Sequence, residues 1–164
     1  MSSTPTPDAE AAYARLKALL QPLASPQLHL LGIYSGGVWV AERLHQDLSW
    51  PSPLGKISST LHRDDFSQRG LGHANQTMLP FSVDQAHLLL IDDVLFTGRT
   101  VRAVLNELYD FGRPSRVQLA VLADRGGREL PISADYAGLT LDLPVNHKLN
   151  LSRDAGRFEF TLEG

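Results

Sequence analysis

The sequence predicts an α/β protein built on a central, mainly parallel β-sheet with helices on its faces. Short apolar runs that suit buried strands alternate along the chain with segments of helical periodicity. One run, at residues 87–91, is almost continuously apolar, which is typical of a strand covered on both faces. Since 164 residues with 43% apolar content suffice for one sizeable core, we expect a single domain over residues 1–164.

Composition narrows the classes of function. With 15 Lys and Arg against 18 Asp and Glu, the formal net charge is -3, so no overall basic field is present to hold nucleic acid non-specifically. Cysteine is absent, which excludes disulfides, thiolate metal sites and a cysteine nucleophile. The sequence shows neither a signal-peptide pattern nor an apolar stretch long enough to cross a bilayer. We therefore expect a cytoplasmic protein without a membrane partner.

The first part of the chain predicts a helix and a strand. Residues 1–8 are a polar, flexible tail, in which Thr6 and Pro7 suit an N-cap followed by proline at the first helical position. Apolar side chains then recur at helical spacing as far as Leu23. A short apolar run over residues 28–34 predicts the first strand, so the chain enters the sheet after one helix.

The next segment predicts a turn, a helix, a strand and a long loop. A glycine turn at residues 35–37 precedes apolar positions on one helix face over residues 41–48, and the proline-rich residues 50–53 break that helix. Residues 56–62 suggest another strand. Residues 63–81 are polar and show neither helical nor strand periodicity. Because long loops inside compact domains are uncommon and often cover active sites, we interpret this segment as a mobile lid.

The second half of the chain predicts three more strands and one helix. The apolar run at residues 87–91 is followed by helical spacing over residues 101–108, and Gly112 ends that helix. Residues 117–123 predict a further buried strand. Residues 157–162 alternate between apolar and polar side chains, which suits a half-exposed strand. Strands that alternate with helices in this way favour a parallel sheet.

The most informative motif lies where the buried strand at residues 87–91 is expected to end. Asp92 and Asp93 follow the run, and a turn of small residues then opens the next helix. Neighbouring side chains of a strand face opposite ways, so the two carboxylates can serve one ligand only where the strand ends and turns. N–H groups at a helix start meet the positive end of the helix dipole and can surround a phosphate. The residues at this start are Thr97, Gly98, Arg99 and Thr100.

Two carboxylates beside a phosphate cradle suit a ribose phosphate. Because Asp92 and Asp93 would repel a phosphate, we expect them to bind sugar hydroxyls or a hard divalent cation such as Mg²⁺. The plainer interpretation is that the acidic pair caps a turn and Gly98 merely starts a helix, and two aspartates alone do not decide between these. The complete string favours function. It lacks both the Gly-Lys-Ser/Thr of a nucleoside triphosphatase loop and the three spaced glycines of a dinucleotide-binding fingerprint.

The motif resembles the phosphoribosyl-pyrophosphate signature of type I phosphoribosyltransferases, in the form found in the PyrR family. The string that carries this resemblance is Ile91-Asp-Asp-Val-Leu-Phe-Thr-Gly-Arg-Thr-Val-Arg-Ala103. Members of the family are pyrimidine operon attenuators and uracil phosphoribosyltransferases. Residues 61–67 and 112–136 are similar to the family as well, within a resemblance over residues 29–138. It implies a type I phosphoribosyltransferase fold, in which a small hood accompanies the mainly parallel sheet.

The resemblance implies a role for each part of the motif. Asp92 and Asp93 would be catalytic, and would hold the ribose hydroxyls and the shell of a Mg²⁺ ion, directly or through water. Residues 97–100 would bind the 5′-phosphate. The residues implied to contact substrate are Ser35, Gly36, Gly37, Arg63, Asp92, Asp93, Val94, Leu95, Phe96, Thr97, Gly98, Arg99, Thr100 and Asp124.

Other segments are implied to surround this motif. The N–H groups of residues 35–37 would bind pyrophosphate, and residues 63–81 would form the lid. Asp124 and Arg125 would lie near the pyrophosphate and base, with Arg125 as a catalytic residue. The segment after Tyr136 would help form the hood over a pyrimidine.

The implied reaction joins uracil to 5-phosphoribosyl-1-pyrophosphate (PRPP) and releases UMP and pyrophosphate, with Mg²⁺ as cofactor. Such catalysis rests on positioning and on stabilising the charge of the departing pyrophosphate. The alternative is a regulatory protein of the pyrimidine-attenuator type that senses UMP or PRPP with little or no catalysis. A third alternative is a degenerate member of the fold that acts as a nucleotide-sensing or structural partner. The family also implies a homo-oligomer, a dimer or larger.

The sequence departs from the family pattern in both halves. Gly36 stands where the family usually has an arginine that would meet pyrophosphate, which predicts weak or absent turnover. Gly127 replaces a histidine of the surface that attenuators use for RNA, and the N-terminal segment offers only Arg15 and Lys17 as basic residues. Both departures argue against RNA binding. Residues 145–153 do not follow the usual hood sequence, so the identity of the base stays open.

Overall fold

The computed structural model describes residues 4–59 and 76–164. Over these residues the helices are α1, Ala9–Leu20; a 3₁₀ turn, Gln21–Leu23; α2, Gly36–Asp47; and α3, Arg99–Leu108. The strands are β1, Leu28–Ile33; β2, Gly55–Ile57; β3, His87–Leu95; β4, Arg116–Asp124; β5, Tyr136–Thr140; β6, Lys148–Asp154; and β7, Arg157–Glu163. None of these helices is long and apolar enough to cross a lipid bilayer.

Five strands form one parallel sheet in the order β2-β1-β3-β4-β5, which confirms the α/β class and the mainly parallel sheet. The chain passes from β1 outward to β2 and then returns to pair β3 with the other side of β1. The strand order therefore changes direction between β1 and β3. In open α/β sheets, ligands bind at such a switch point, outside the carboxyl ends of the strands. A ligand site is therefore expected at the carboxyl ends of β1 and β3.

Alternate side chains of the central strands pack on opposite faces of the sheet. In β3, Leu89 and Ile91 belong to the core that contains α1 and α2, whereas Leu88 and Leu90 belong to the core that contains α3. Because both faces are covered, the strand is an almost continuous apolar run in the sequence. The prediction of a buried strand at residues 87–91 is confirmed.

Strands β6 and β7 form an antiparallel hairpin outside the main sheet. Phe158 and Phe160 are buried in the same core as α1, and the residues between and beside them are exposed. This pattern confirms the half-exposed strand predicted at residues 157–162. Tyr13 of α1 lies edge-on to Phe158, with 5.6 Å between the ring centroids, so the hairpin packs on the first helix.

The first helix begins later and ends earlier than its sequence pattern indicates. Asp8, rather than Thr6, is the N-cap of α1, because its Oδ1 accepts a hydrogen bond from the N–H of Ala11 at 3.1 Å. A carboxylate at this position also interacts favourably with the helix dipole. The predicted continuation to Leu23 is instead a 3₁₀ turn that contains Pro22, a residue without the N–H that an α-helix needs.

The segment after Tyr136, expected to help form the hood, starts with the fifth strand of the main sheet, and only the residues after Thr140 leave that sheet. It pairs in parallel with β4, from Ala120 opposite Tyr136 to Asp124 opposite Thr140. Its sequence, Tyr-Ala-Gly-Leu-Thr, has no apolar run and contains a glycine, both of which weaken a strand signal. The strand also packs against α1, where Arg15 Nε donates a hydrogen bond of 2.7 Å to the carbonyl oxygen of Gly138. Because the two residues are distant along the chain, no local sequence pattern indicates this contact.

The predicted strand at residues 56–62 and the predicted lid at residues 63–81 are described only in part, because residues 60–75 lie outside the described residues. Before this gap, β2 is a strand of three residues. After it, the chain returns to the sheet, where Lys56 and Met78 exchange two backbone hydrogen bonds of 2.8 Å. The end of the predicted lid therefore lies at the edge of the sheet.

A half-buried ion pair joins α1, α2 and the hairpin. Glu10 accepts two hydrogen bonds of 2.8 Å from the guanidinium of Arg43, and its Oε2 also accepts the N–H of Phe158 at 2.7 Å. The same guanidinium lies 4.0 Å from the ring centroid of Tyr13, whose hydroxyl donates to Asp47 at 2.7 Å. The hydrogen bonds from Arg43 are the largest cause that lowers the pKa of Glu10 from 4.5 to about 2.

We expect Glu10→Gln to lower the free energy of unfolding at neutral pH by about 1–3 kcal/mol, because Arg43 loses the carboxylate that it bonds at 2.8 Å and, among the described residues, keeps only Asp47, 3.8 Å away. A carboxylate whose pKa is depressed in the fold adds stability above its unfolded value of 4.5, and that stability is lost as the pH falls toward 2. Urea unfolding over this range should therefore show the two proteins converging at low pH. Glu159→Gln, at an exposed position of β7, is the matched control. A difference that does not change with pH would contradict the assignment to this carboxylate.

Candidate active site

The second half of β3 carries two adjacent carboxylates near the switch point of the sheet. The strand continues to Leu95, so Asp92 and Asp93 lie within it rather than at its end, which corrects the boundary predicted from the sequence. The cause is pairing with β4, which runs on from Asp92 opposite Val121 to Leu95 opposite Asp124. The carboxylates are therefore held by a paired backbone.

The two carboxylates face different neighbours, as adjacent residues of a strand must. Asp92 is buried and lines a cavity with the loop that follows β3. Asp93 is half-buried and lies against Gly36 at the start of α2. Each carboxylate accepts a hydrogen bond of 2.8 Å from the next backbone N–H, Asp92 from that of Asp93 and Asp93 from that of Val94. The pair is thus held in one orientation, and the two side chains remain close enough that, besides burial, a hydrogen bond between them contributes to the raised pKa of Asp92.

The surroundings of Asp92 disfavour its ionised form. Burial is the largest cause and the neighbouring charge of Asp93 the second, and together they raise the pKa of Asp92 well above 3.8. A cation or hydroxyl donor that approached the pair would relieve this cost. Among the described residues, no group of three or more His, Asp or Glu side chains is placed to hold a metal ion. The pair offers at most two ligands, which suits a Mg²⁺ ion that keeps waters and substrate oxygens.

Residues 96–100, named the phosphate loop for the role that the sequence predicts, lead from β3 into α3. Gly98 is the N-cap of α3 and has a φ of 95°, a left-handed conformation that glycine adopts without steric cost. The hydroxyl of Thr97 accepts a hydrogen bond of 3.1 Å from the N–H of Arg99. The loop encloses an opening of about 130 Å³ at the positive end of the α3 dipole. The residues that line it are Asp92, Val94, Leu95, Phe96, Thr97, Gly98, Thr100 and Val101.

Two residues of this region do not offer their side chains freely to a ligand. Arg99 is exposed, and its guanidinium forms an ion pair with Glu129. Leu95 is almost wholly buried in the core that contains α3. At these two positions the main chain is the part that a phosphate could reach.

The start of α2 approaches β3 closely. Gly36 and Gly37 are the buried first residues of the helix and follow the exposed Ser35. A Cβ atom on Gly36 would overlap the carboxylate of Asp93, 2.7 Å from its Cγ, so this contact requires glycine. The starts of α2 and α3 therefore flank the end of β3. Because the first N–H groups of a helix have no partner within it, both starts can receive an anion.

Asp124 is engaged in an ion pair that the sequence reasoning missed. Its carboxylate accepts hydrogen bonds of 2.8 and 2.9 Å from one nitrogen of Arg128. Another nitrogen of Arg128 donates to the carbonyl oxygen of Phe96 at 2.8 Å. Asp124 thus helps to hold the phosphate loop. The signal that could have revealed Arg128 is its spacing of four residues from Asp124 in the motif at the end of β4.

The guanidinium of Arg125 faces inward, whereas the resemblance implies a catalytic residue near pyrophosphate. This arginine is 2% exposed, and burial lowers its pKa. It donates to the carbonyl oxygens of His147 at 2.5 Å and Pro144 at 2.9 Å, and it lies 3.8 Å from the ring centroid of Phe96. The partner carbonyls stand 22 and 19 residues along the chain, so the sequence alone could not indicate this position.

Most of the predicted substrate contacts lie at one edge of the sheet. Residues 35–37, residues 92–100 and Asp124 end or follow the adjacent strands β1, β3 and β4. Arg63 lies outside the described residues. The structure therefore assembles the two helix starts and the carboxylate pair, whereas the guanidinium of Arg125 is buried against Phe96 and two backbone carbonyls.

Comparison with known proteins identifies the family of the chain. A family model described as "Phosphoribosyl transferase domain" matches residues 8–150. A protein from Ralstonia nicotianae named "Bifunctional protein PyrR" is 45% identical over 165 residues, which cover 95% of this chain and 94% of that protein. A protein of the same name from Nitrosococcus oceani is 52% identical over 126 residues, which cover 75% of this chain and 71% of that protein.

Solved structures share the fold at much lower identity. The hypoxanthine phosphoribosyltransferase of Trypanosoma cruzi superposes with a TM-score of 0.64 at 19% identity, over 96% of this chain and 95% of that one. The Leishmania tarentolae enzyme in complex with GMP gives a TM-score of 0.61 at 18% identity, over 86% of this chain and 83% of that one. These likenesses concern the fold alone.

Proposed function

The chain belongs to the PyrR family of phosphoribosyl transferase domains, and from this membership we propose that it transfers the phosphoribosyl group of PRPP to uracil. The type I phosphoribosyltransferase fold and the class of pentosyltransferase, both predicted from the sequence, are confirmed. In the reaction, N1 of uracil bonds to C1′ of the ribose and loses its proton. The bond from C1′ to pyrophosphate breaks, and its electron pair leaves with pyrophosphate. The products are UMP and pyrophosphate.

A carboxylate pair between two helix starts carries this proposal. PRPP bears anionic groups at both ends of its ribose and hydroxyls between them. The start of α3 suits the 5′-phosphate, the start of α2 suits the pyrophosphate, and Asp92 and Asp93 between them suit the hydroxyls. Holding both ends of the substrate fixes C1′ for attack by the base, which is where positioning lowers the barrier.

Proteins of this family generally use Mg²⁺ with PRPP, and we propose that Asp92 and Asp93 hold the ion, directly or through water. The fit rests on the buried Asp92 carboxyl, whose pKa is raised by burial and by the charge beside it. When bound, Mg²⁺ stabilises the negative charge that develops on pyrophosphate. The residues themselves orient the ribose, and the two helix starts hold its charged ends.

Purified protein mixed with uracil, PRPP and Mg²⁺ tests the proposal. We expect UMP and pyrophosphate to appear in equal amounts, and omission of Mg²⁺ to abolish the reaction. Orotate, cytosine and hypoxanthine in place of uracil define the base. Binding of PRPP or UMP without any product would overturn the enzyme proposal. Binding of neither would overturn the site as well.

The second candidate function is regulation through the same pocket, by sensing UMP or PRPP with little turnover. It is favoured by the name of the relatives, "Bifunctional protein PyrR", one of which matches over 94% of its length. Gly36 contributes no side-chain charge to pyrophosphate, which also limits turnover. RNA would be the partner of such a regulator. Gly127, which stands in place of the family's RNA-surface histidine, argues against this partner. Its φ is 81° and a Cβ atom there would lie 2.5 Å from the ring of Phe96, so the backbone at this position does not suit a side chain.

Binding of a pyrimidine-operon leader RNA at several salt concentrations separates the two candidates. Affinity that falls steeply with salt and rises with UMP would support regulation. We further propose a cytoplasmic homo-oligomer, as family membership suggests. Sedimentation equilibrium on the purified protein decides between a monomer and a dimer or larger assembly.

A further inference from the structure

We propose that Arg125 is a positioning residue that couples the phosphate loop to the approach loop, residues 141–147, and thereby determines how much the base adds to nucleotide affinity. This inference rests on the proposed function. The approach loop joins β5 to β6 and is distinct from the carboxylate pair and from the helix starts. Arg125 follows β4 and lies between the two loops.

The guanidinium of Arg125 holds both loops at once. On one side it lies 3.8 Å from the ring centroid of Phe96, in the phosphate loop. On the other it donates to the carbonyl oxygens of Pro144 and His147, in the approach loop, at 2.9 and 2.5 Å. A planar group with several fixed donors is suited to this arrangement, because it can stack on a ring and bond two carbonyls together. A shift of either loop is therefore transmitted to the other.

Main-chain bonds reinforce the same connection. The N–H of Arg125 donates to the carbonyl oxygen of Leu95 at 3.1 Å, and its own carbonyl accepts from Leu143 at 3.2 Å. Farther along, the N–H groups of Glu129 and Leu130 donate to the carbonyl oxygen of Thr97 at 2.9 and 3.2 Å. The segment after β4 thus supports the phosphate loop over its length, and the Arg125 side chain extends that support to the approach loop.

The burial of Arg125 argues for a specific task. The side chain is 2% exposed, and in the part of the chain that the structure describes no carboxylate is paired with it and its Nε has no hydrogen-bond partner. Burying a cation without a counter-ion is costly, so a less polar residue would serve if packing were the only need. The two carbonyl oxygens of Pro144 and His147 are its polar partners, so its task is to hold the loop that carries them.

The approach loop stands where a base would lie. The N–H of Leu141 donates to the carbonyl oxygen of Asp124 at 2.9 Å, so the loop starts beside the carboxyl end of β4, next to that of β3. Between the two anchored carbonyls, Val145 is 77% exposed. An exposed apolar side chain on a loop held at both ends suits the face of a planar base. With the ribose at the carboxylate pair, the base is placed between the β-strand ends and this loop.

The test compares the affinities of ribose 5-phosphate and UMP, measured calorimetrically with Mg²⁺, because their ratio isolates the contribution of the base. In Arg125→Met we expect the affinity for ribose 5-phosphate to change less than about twofold and the preference for UMP to fall about tenfold. Arg125→Lys should recover part of the preference, because it keeps the charge but cannot bond both carbonyls in a fork. Arg116→Met, at an exposed position at the start of β4, is the matched control.

The outcomes separate the inference from the proposed function. Folded Arg125 variants that keep the wild-type preference for UMP would overturn the inference and leave a purely structural arginine. A wild type that binds neither ligand would overturn the proposed function and the inference together. If the Arg125 variants do not fold, Val145→Ser tests the inference instead, because substitution of a side chain that is 77% exposed is expected to leave the fold intact. An unchanged preference for UMP in that variant would show that the approach loop does not face the base, and the inference would fail.

Discussion

Replacing Asp92 and Asp93 together by asparagine should lower kcat/KM for PRPP about 10³-fold, which corresponds to about 4 kcal/mol of transition-state stabilisation. Asparagine keeps the size of each side chain, and its oxygen can still accept the N–H bonds, 2.8 Å long, that orient the pair. It removes the charge that the proposed function assigns to the ribose hydroxyls and Mg²⁺. Steady-state kinetics with uracil and PRPP measures the effect, and Asp154→Asn, at an exposed position of the hairpin, is the control.

The same double variant should be at least as stable as the wild type at neutral pH without Mg²⁺. Burial and the charge of Asp93 raise the pKa of Asp92, so the native state loses stability as the pH rises through the titration of this carboxyl. A neutral amide removes that cost. Thermal unfolding beside the kinetic assay therefore separates loss of chemistry from loss of fold. A stable variant that retained a tenth or more of the activity would remove the pair from the proposed mechanism.

Gly98→Val should weaken UMP and PRPP binding about 10²-fold. The φ of 95° at this position is costly for any residue with a Cβ atom and most costly for a branched one. A Cβ atom would also lie 3.1 Å from Cγ1 of Ile132, so the loop must shift away from its support. Because the phosphate loop begins α3 at Gly98, the shift moves the N–H groups that the 5′-phosphate would meet. Calorimetric titration with UMP measures the loss.

Gly156→Val is a matched control for this glycine. Its φ of 80° imposes a similar backbone cost, but among the described residues nothing lies within 4 Å of a Cβ atom built there. It stands in the turn between β6 and β7. We expect this variant to lose about 1–2 kcal/mol of stability and no affinity for UMP. If Gly98→Val and Gly156→Val lost equal affinity for UMP, a general loss of stability would explain the result. The proposed role of Gly98 in phosphate binding would then fail.

The carboxylate pair shows how far local sequence reasoning reaches. The alternation of strands and helices, the buried β3 and the small-residue start of α3 follow from residues that are close in sequence, so periodicity and composition predict them. The end of β3 does not, because it depends on pairing between Leu95 and Asp124. Strand β5 has no apolar run, and it too forms because it pairs with its neighbour β4.

The family signature reaches further than periodicity, but it too identifies residues and not their contacts. It singled out Asp92, Asp93 and the phosphate loop, which the structure brings to the switch point. It also suggested a catalytic role for Arg125, whose guanidinium is turned toward two carbonyls instead. Arg128, which bonds both Asp124 and Phe96, was not recognised, because an i,i+4 pair outside a predicted helix carries little signal.

By itself, the sequence determined the α/β class, the parallel sheet and the position of the phosphate loop, because each depends on the period and type of nearby residues. The tertiary structure alone decided that Asp93 meets Gly36, that β5 joins the sheet and that Arg125 lies between two loops. These contacts join segments that are distant along the chain. Their geometry is set by how strands and helices pack, and no local pattern of side chains encodes it.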